Sequence, residues 1–320
     1  MRACLSCLAF GLVTIVTVAQ VAPPPDAVRQ SVATVLVATT SKGQPVSDLL
    51  PSQVTALVDG RPAHVEYLQA VGRSLAVVLM FDVSNSMFGK LDQRVGQEFG
   101  TQVVAPLRDD DQVRFAEIGG GVAVGPPVPH TKASFAAPPA LVERPEPRRT
   151  SPAARTQWSL MSSPIWDGVA AGVAAVRADE RHRLVVLITD GLVAGSRLGL
   201  EDAIRLAAAA QTAVSVVDMH TAKWMDVKQD NQKERAEFRP DEALRRLAAA
   251  TGGGYFPEAS ARGEDKRGSE MPELVAKAIV ESRGAYRVGL LIPADGAPHS
   301  VKITSSRPGV VIRTPPEIRR

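Results

Sequence analysis

Two apolar runs, Leu75–Phe81 ("LAVVLMF") and Leu184–Thr189 ("LVVLIT"), each end at an aspartate, Asp82 and Asp190. A run of this length without polar alternation is the pattern of a strand buried on both faces. A parallel sheet with helices on either side provides that burial, so these two segments constrain the fold more than anything else in the chain. The segments around them agree. Leu91–Leu107, Ile165–Val176, Leu200–Gln211, Pro240–Ala250 and Met271–Ser282 read as helices, and Gln112–Ile118, Val122–Val124 and Ala213–Val217 as further strands. The expected fold is α/β: a doubly wound, mostly parallel, Rossmann-like sheet.

The flanks have a different period. Residues 23–72 alternate β-formers with turns, as in "VTALVDGRPAHVEYL", and read as an N-terminal β module. Residues 284–320 hold three β segments, "AYRVGLLIP", "SVKITSS" and "GVVIRTP", and are expected to pack with that module. Between the flanks, residues 73–283 form the α/β domain, broken by a loop at 126–158. Eight prolines fall between Pro126 and Pro152, which argues against a helix or a central strand there. A short helix around Lys132–Ala137 is the most that loop is expected to hold. A second loop, 220–238, is charged. Residues 1–22 have one basic residue, an apolar stretch and small residues before three prolines, the layout of a cleaved signal peptide. An uncleaved anchor is the rival reading. Both cysteines, Cys4 and Cys7, lie in that segment, so the mature chain would carry neither a disulfide nor a thiolate ligand. Periplasmic or secreted localisation is expected, with no membrane span in the mature chain. Net charge is +3 with no long basic run, so no nucleic-acid partner is expected.

In open α/β sheets, ligands gather beyond the carboxyl ends of the strands. Asp82, Ser84 and Ser86 stand there at i, i+2 and i+4, and Asp190 follows the second buried strand. If the two strands are neighbours, crowded carboxylates need a compensating cation. Hard oxygen donors without thiolate or clustered imidazole suit Mg²⁺, Mn²⁺ or Ca²⁺ rather than Zn²⁺ or copper. The plain alternative is that Asp82, Ser84 and Ser86 merely cap a helix. "GGGVAVG" (119–125) lacks a P-loop ending and reads as a hairpin turn, while Asp109–Asp111 read as a solvated turn. The five histidines, His64, His130, His182, His220 and His299, are scattered and read as surface or turn residues. With no G-x-S-x-G and no base beside the acids, an enzyme is not expected.

"VVLMFDVSNSM" and "VVLITDG", with the helices between them, resemble the von Willebrand factor A domain and its metal-ion-dependent adhesion site. "GQPVSDLLPSQVTALVDGRPAHVEYL", "LRRLAAATGGGYF" and the closing "YRVGLLIPADGAPHSVKITSSRPGVVIRT" are similar to segments of that family's secreted, acidobacterial-type bacterial subgroup. The resemblance implies that Asp82, Ser84 and Ser86 form the first metal loop and Asp190 the last. The family's middle loop supplies a threonine in a Gly-Thr-Ala-Leu-Tyr-Asp-type segment. Here "SSPIWDG" puts Ser163 at that position, four residues before Asp167, with Thr156 and Ser159 as alternatives if the loop is shifted. The implied function is capture of a carboxylate of a partner protein by the bound ion; the alternative is a structural or assembly protein with a degenerate, metal-free site. Oligomeric state is not implied.

Overall fold

The computed structural model describes residues 29–84, 87, 93–131, 135, 163–219, 240–258 and 270–318. The expected signal peptide, Ser86, most of the proline-rich loop and the charged loop at 220–238 lie outside them. Four strands open the described chain: β1 (Arg29–Thr40), β2 (Val54–Val58), β3 (Arg61–Ala63) and β4 (Val65–Ala70). An alternating section follows, with β5 (Leu75–Asp82), α1 (Gln93–Gln102), β6 (Gln112–Ile118), β7 (Val122–Val128), α2 (Ile165–Val176) and β8 (His182–Thr189). It continues through α3 (Leu200–Ala209), β9 (Thr212–Asp218), α4 (Pro240–Thr251), β10 (Tyr255–Pro257) and α5 (Met271–Ser282). The chain leaves through β11 (Ala285–Pro293), β12 (His299–Ser305), β13 (Val310–Arg313) and β14 (Glu317–Ile318).

The alternating section builds one six-stranded sheet in the order β10-β9-β8-β5-β6-β7, parallel except where β7 runs against β6. Because successive side chains point to opposite faces, each buried strand feeds two cores. From β5, Leu75, Val77, Leu79 and Phe81 pack with Phe99 of α1 and with Val275 and Ile279 of α5. Ala76, Val78 and Met80 pack on the other side with Val169 and Val173 of α2, Ala203 of α3 and Leu244 of α4. This is the doubly wound α/β fold expected. α2 lies close to the sheet because it is rich in small residues: a Cβ at Gly172 would stand 2.7 Å from Met80 Cε. From β5 the chain moves outward to β6 and β7, then resumes at β8 on the other side of β5. The order therefore reverses between β5 and β8, the place where such sheets bind ligands.

The proline-rich loop starts later than expected. Pro126 and Pro127 belong to β7, which is tolerated because β7 is the sheet's edge and needs no N–H on its outer side. The Gly119–Gly121 stretch forms the β6–β7 hairpin turn, as expected. Of the helix expected at Lys132–Ala137, only Phe135 is described; it is helical, and its ring packs edge-on against Phe115 at 5.1 Å between centroids.

The two ends of the chain fold together. Two four-stranded sheets, β13-β1-β11-β4 and β14-β12-β2-β3, each combine strands from both ends. Their facing sides share one core, with Leu36, Tyr286, Val288 and Leu290 from the first sheet and Ala56, Val58, Val301 and Ile303 from the second. The Tyr286 hydroxyl donates to Val46 O at 2.9 Å and accepts from Leu49 N–H at 2.9 Å, tying the β1–β2 connection to the core.

Two histidines depart from the expected surface placement. His182, at the start of β8, is buried, and burial lowers its pKa to about 4. His299 is 4% exposed in its side chain and sits between Asp59 (Nδ1, 2.7 Å) and Asp295 (Nε2, 3.0 Å). Asp59 reaches it from a two-residue hairpin turn in which Asp59 and Gly60 have φ of 51° and 75°, as that turn demands. The Asp59 hydrogen bond, opposed by burial and helped by Asp295, raises the His299 pKa. A raised folded pKa contributes stability in full below about 6.5 and loses it as pH rises through the folded value. Substituting His299→Gln should therefore open a larger gap in Tm from the parent at pH 6 than at pH 9. An equal gap at both pH values would show that the imidazole acts only through packing.

Candidate metal centre

β5 and β8 are hydrogen-bonded neighbours in parallel register, with Phe81 opposite Ile188, so their carboxyl ends finish side by side. Asp82 closes β5, Thr189 closes β8, and Asp190 follows directly. All three are fully buried, and Ser84 and Ser163 are nearly so at 6% and 2% exposed.

Asp82 is the hub. Its Oδ1 accepts the Ser84 N–H at 3.0 Å, which turns the chain sharply out of the strand. Its Oδ2 accepts the hydroxyls of Ser163, at 3.0 Å, and of Thr189, at 2.6 Å. Donors from three separate segments, the β5 loop, the middle loop and the end of β8, thus meet on one carboxylate. The loops are tied together behind it. Ser163 O accepts the N–H of Ala194 at 2.9 Å, joining the middle loop to the segment after Asp190. The Asp167 carboxylate accepts the N–H groups of Arg197 and Leu198, so this acid at the start of α2 clamps the same segment. The β6–β7 turn closes on the loop from the side, where a Cβ at Gly119 would lie 2.7 Å from Val83 Cγ2.

Burial, and next the charge of Asp190, raise the Asp82 pKa; the Thr189 and Ser84 hydrogen bonds oppose them. Among the described residues, no cationic side chain is among the influences on Asp82. Two carboxylates crowded in a buried polar nest, with neutral hydroxyls as the remaining donors, fit a hard divalent cation. A hydroxyl that gives its proton to Asp82 keeps lone pairs for an ion, so the bonds seen here do not block one. Among the described residues no group of three or more His, Cys, Asp or Glu could hold a metal, so any ion here would depend on hydroxyl oxygen as well as carboxylate.

Of the residues singled out in the sequence, Asp82, Ser84, Ser163 and Asp190 come together. Ser86, Thr156 and Ser159 lie outside the described residues. Thr189 was not singled out. Its signal was present, a hydroxyl between an apolar run and an acid, but that position also suits an ordinary strand residue.

No protein-family model matches the chain, and no curated protein matches it. Several solved structures align with it, each at a TM-score below 0.5. The von Willebrand factor type A protein from Catenulispora acidiphila aligns at 11% identity and a TM-score of 0.42, over 92% of this chain and 73% of that one. Proximal thread matrix protein 1 from the mussel byssus, with a zinc-occupied MIDAS motif, aligns at 14% and 0.39, over 64% and 48%. The manganese-loaded TRAP protein of Plasmodium vivax aligns at 12% and 0.35, over 80% and 98%.

Proposed function

We propose that this chain is an exported, von Willebrand factor A-type binding module of the secreted, acidobacterial-type bacterial subgroup. It would use a divalent cation to capture a carboxylate of a partner protein. The observation that carries this reading is Asp82: a buried carboxylate on which donors from three segments converge, standing against a second buried acid, Asp190. Asp82 and Asp190 would hold the ion directly or through water. Ser84, Ser163 and Ser86 would supply hydroxyl oxygens, and Thr189 would fix the orientation of Asp82. Neutral hydroxyl ligands leave the ion much of its positive charge, which it would direct at an incoming carboxylate. Mg²⁺ is the expected ion, with Mn²⁺ or Ca²⁺ as substitutes. No chemical step is part of this function. Export rests on the composition of residues 1–22; among the described residues, no helix is long and apolar enough to cross a membrane.

One observation favours a second reading, a structural protein that works without metal. The hydroxyls of Ser163 and Thr189 already satisfy Asp82 Oδ2. Calorimetric titration of the chain and of Asp82→Ala with Mg²⁺ and with Mn²⁺ separates the two. One saturable site in the parent, lost in the variant, is the expected result. Absence of binding to the parent up to millimolar ion would favour the structural reading.

A further inference from the structure

At the other end of the parallel sheet, an open groove of about 500 Å³ runs between the C-terminal half of α4 and the strands β12 and β13. Two strand edges face it with backbone groups that no strand pairs. β12 pairs with β2 from Val301↔Val58 to Ser305↔Val54, but with β14 only at His299 and Ser300. Val301 N–H still reaches toward that side, donating to Pro316 O at 2.8 Å. Hydrogen bonds alternate sides along an antiparallel strand, so Ile303, two residues on, also points away from β2, into the groove. There β14 no longer accompanies it. β13 pairs only with β1, and Ala38 of β1 commits its N–H to Gly284 O on the far side, at 2.8 Å. Ala38↔Ile312 is thus a pair without mutual hydrogen bonds, and Ile312 likewise turns its N–H and C=O outward to the groove.

The side chains around these edges carry one sign of charge. Among the described lining residues, Arg245, Lys302 and Arg313 are charged and none is acidic. Arg245 is held over the Tyr255 ring, 4.0 Å from its centroid, so its guanidinium is placed rather than free. Arg313 gives Nη1 to Glu281 at 2.6 Å, while its buried Nε has no partner. Lys302 has no ion-pair partner among the described residues. The floor is apolar, built on Ala248 and Ala249 of α4.

An open strand edge, an apolar floor and lining charges that are all positive, with Arg245 and Arg313 sharing theirs with Asp241 and Glu281 and Lys302 without an ion pair among the described residues, are together complementary to one kind of occupant. We propose that this groove receives an extended acidic peptide segment of a partner protein, which adds backbone bonds to the open edges at Ile303 and Ile312 and sets carboxylates against Arg245, Lys302 and Arg313. An extended chain turns alternate side chains to opposite faces, so a segment alternating acidic and small apolar residues fits both the cations and the alanine floor. No metal ion takes part, and the inference stands apart from the centre at Asp82.

The test is fluorescence anisotropy of a labelled Val-Glu-Val-Glu-Val-Glu peptide with the full chain in EDTA, which silences any cation-dependent capture. Saturable binding is expected. It should be absent for the Val-Lys counterpart and weakened at least about tenfold in the Arg245→Glu/Lys302→Glu chain, where both substitutions fall on exposed side chains. A peptide N-methylated at alternate residues should also bind more weakly, because it lacks the donors that strand addition needs. Absence of saturable binding, or equal binding by the charge-reversed chain, would overturn the proposal. So would full affinity of the N-methylated peptide, or displacement by glutarate at concentrations equal to those of unlabelled peptide, which would mark a pocket for small carboxylates.

Discussion

Replacing Arg283 by leucine is expected to lower the unfolding free energy by about 3–5 kcal/mol, the range for removing one partner of a buried ion pair. The expectation comes from what the substitution leaves behind. Arg283 and Asp111 are 8% and 0% exposed in their side chains and face each other through two nitrogens and two oxygens. The same guanidinium donates to Arg73 O at 3.2 Å and Pro106 O at 2.8 Å, so it closes the backbone around the start of β5. Asp111 in turn accepts the N–H groups of Leu75 and Arg108, each at 2.8 Å. Burial alone would raise the Asp111 pKa; Arg283 and those N–H groups outweigh it and hold the carboxyl below its usual range. A depressed carboxylate pKa gives stability that is present above the usual value and lost as pH falls through the folded one. In Arg283→Leu the carboxylate stays buried without its counter-charge. Adding Asp111→Asn should then recover part of the loss, because the amide keeps an acceptor oxygen and carries no charge. Urea denaturation of the parent, both single variants and the double variant measures this coupling. A loss below about 1 kcal/mol for Arg283→Leu would class the pair with exposed salt bridges.

That pair also shows where sequence reading stops. Asp111 sits in "LRDDDQV" and reads as one of three solvated acids, because the residue that buries it lies 172 positions away. His299 and Asp59 are separated by 240 positions, with the same consequence. By contrast, β5 and β8 were legible from a local property, an unbroken apolar run, and α2 and α5 from apolar periodicity at the observed bounds. The convergence of Asp82 with Asp190 was legible because both follow such runs and adjacent parallel strands end together. Thr189 was not, since its hydroxyl meets Asp82 only through the register that sets Phe81 opposite Ile188. The prolines of β7 were misplaced for a related reason: composition marks a segment as unfit for a central strand, but only topology shows it to be an edge.

At neutral pH in EDTA, the Asp82→Asn chain is expected to melt above the parent, and Mg²⁺ should reverse that order. The first half follows from the raised pKa of Asp82, which burial and Asp190 produce. A carboxyl that holds its proton more tightly in the folded than in the unfolded state contributes stability at low pH. That contribution declines as pH rises from the usual carboxylate range through the folded value. Asparagine has the same shape and no charge. Its amide oxygen can take the Ser84 N–H, and the hydroxyls of Ser163 and Thr189 can rotate to accept from its NH₂ group. The gap between the two chains should therefore close on acidification toward about pH 4, where the parent carboxyl is protonated as well. The second half follows from mass action. An ion at a hundredfold excess over its Kd stabilises the parent by about 2.7 kcal/mol, several degrees in Tm, while the variant lacks a carboxylate the ion needs. Differential scanning calorimetry of both chains from pH 4 to 8, in EDTA and in Mg²⁺, reads out the whole pattern. A parent more stable than the variant in EDTA at neutral pH would remove the like-charge argument for the ion. Equal stabilisation of both chains by Mg²⁺ would place the cation elsewhere. If the pattern holds, Asp82 destabilises the metal-free fold and restores that stability only when a cation is bound. Burial geometry alone would be served as well by asparagine, so the charge itself would then be accounted for by the ion.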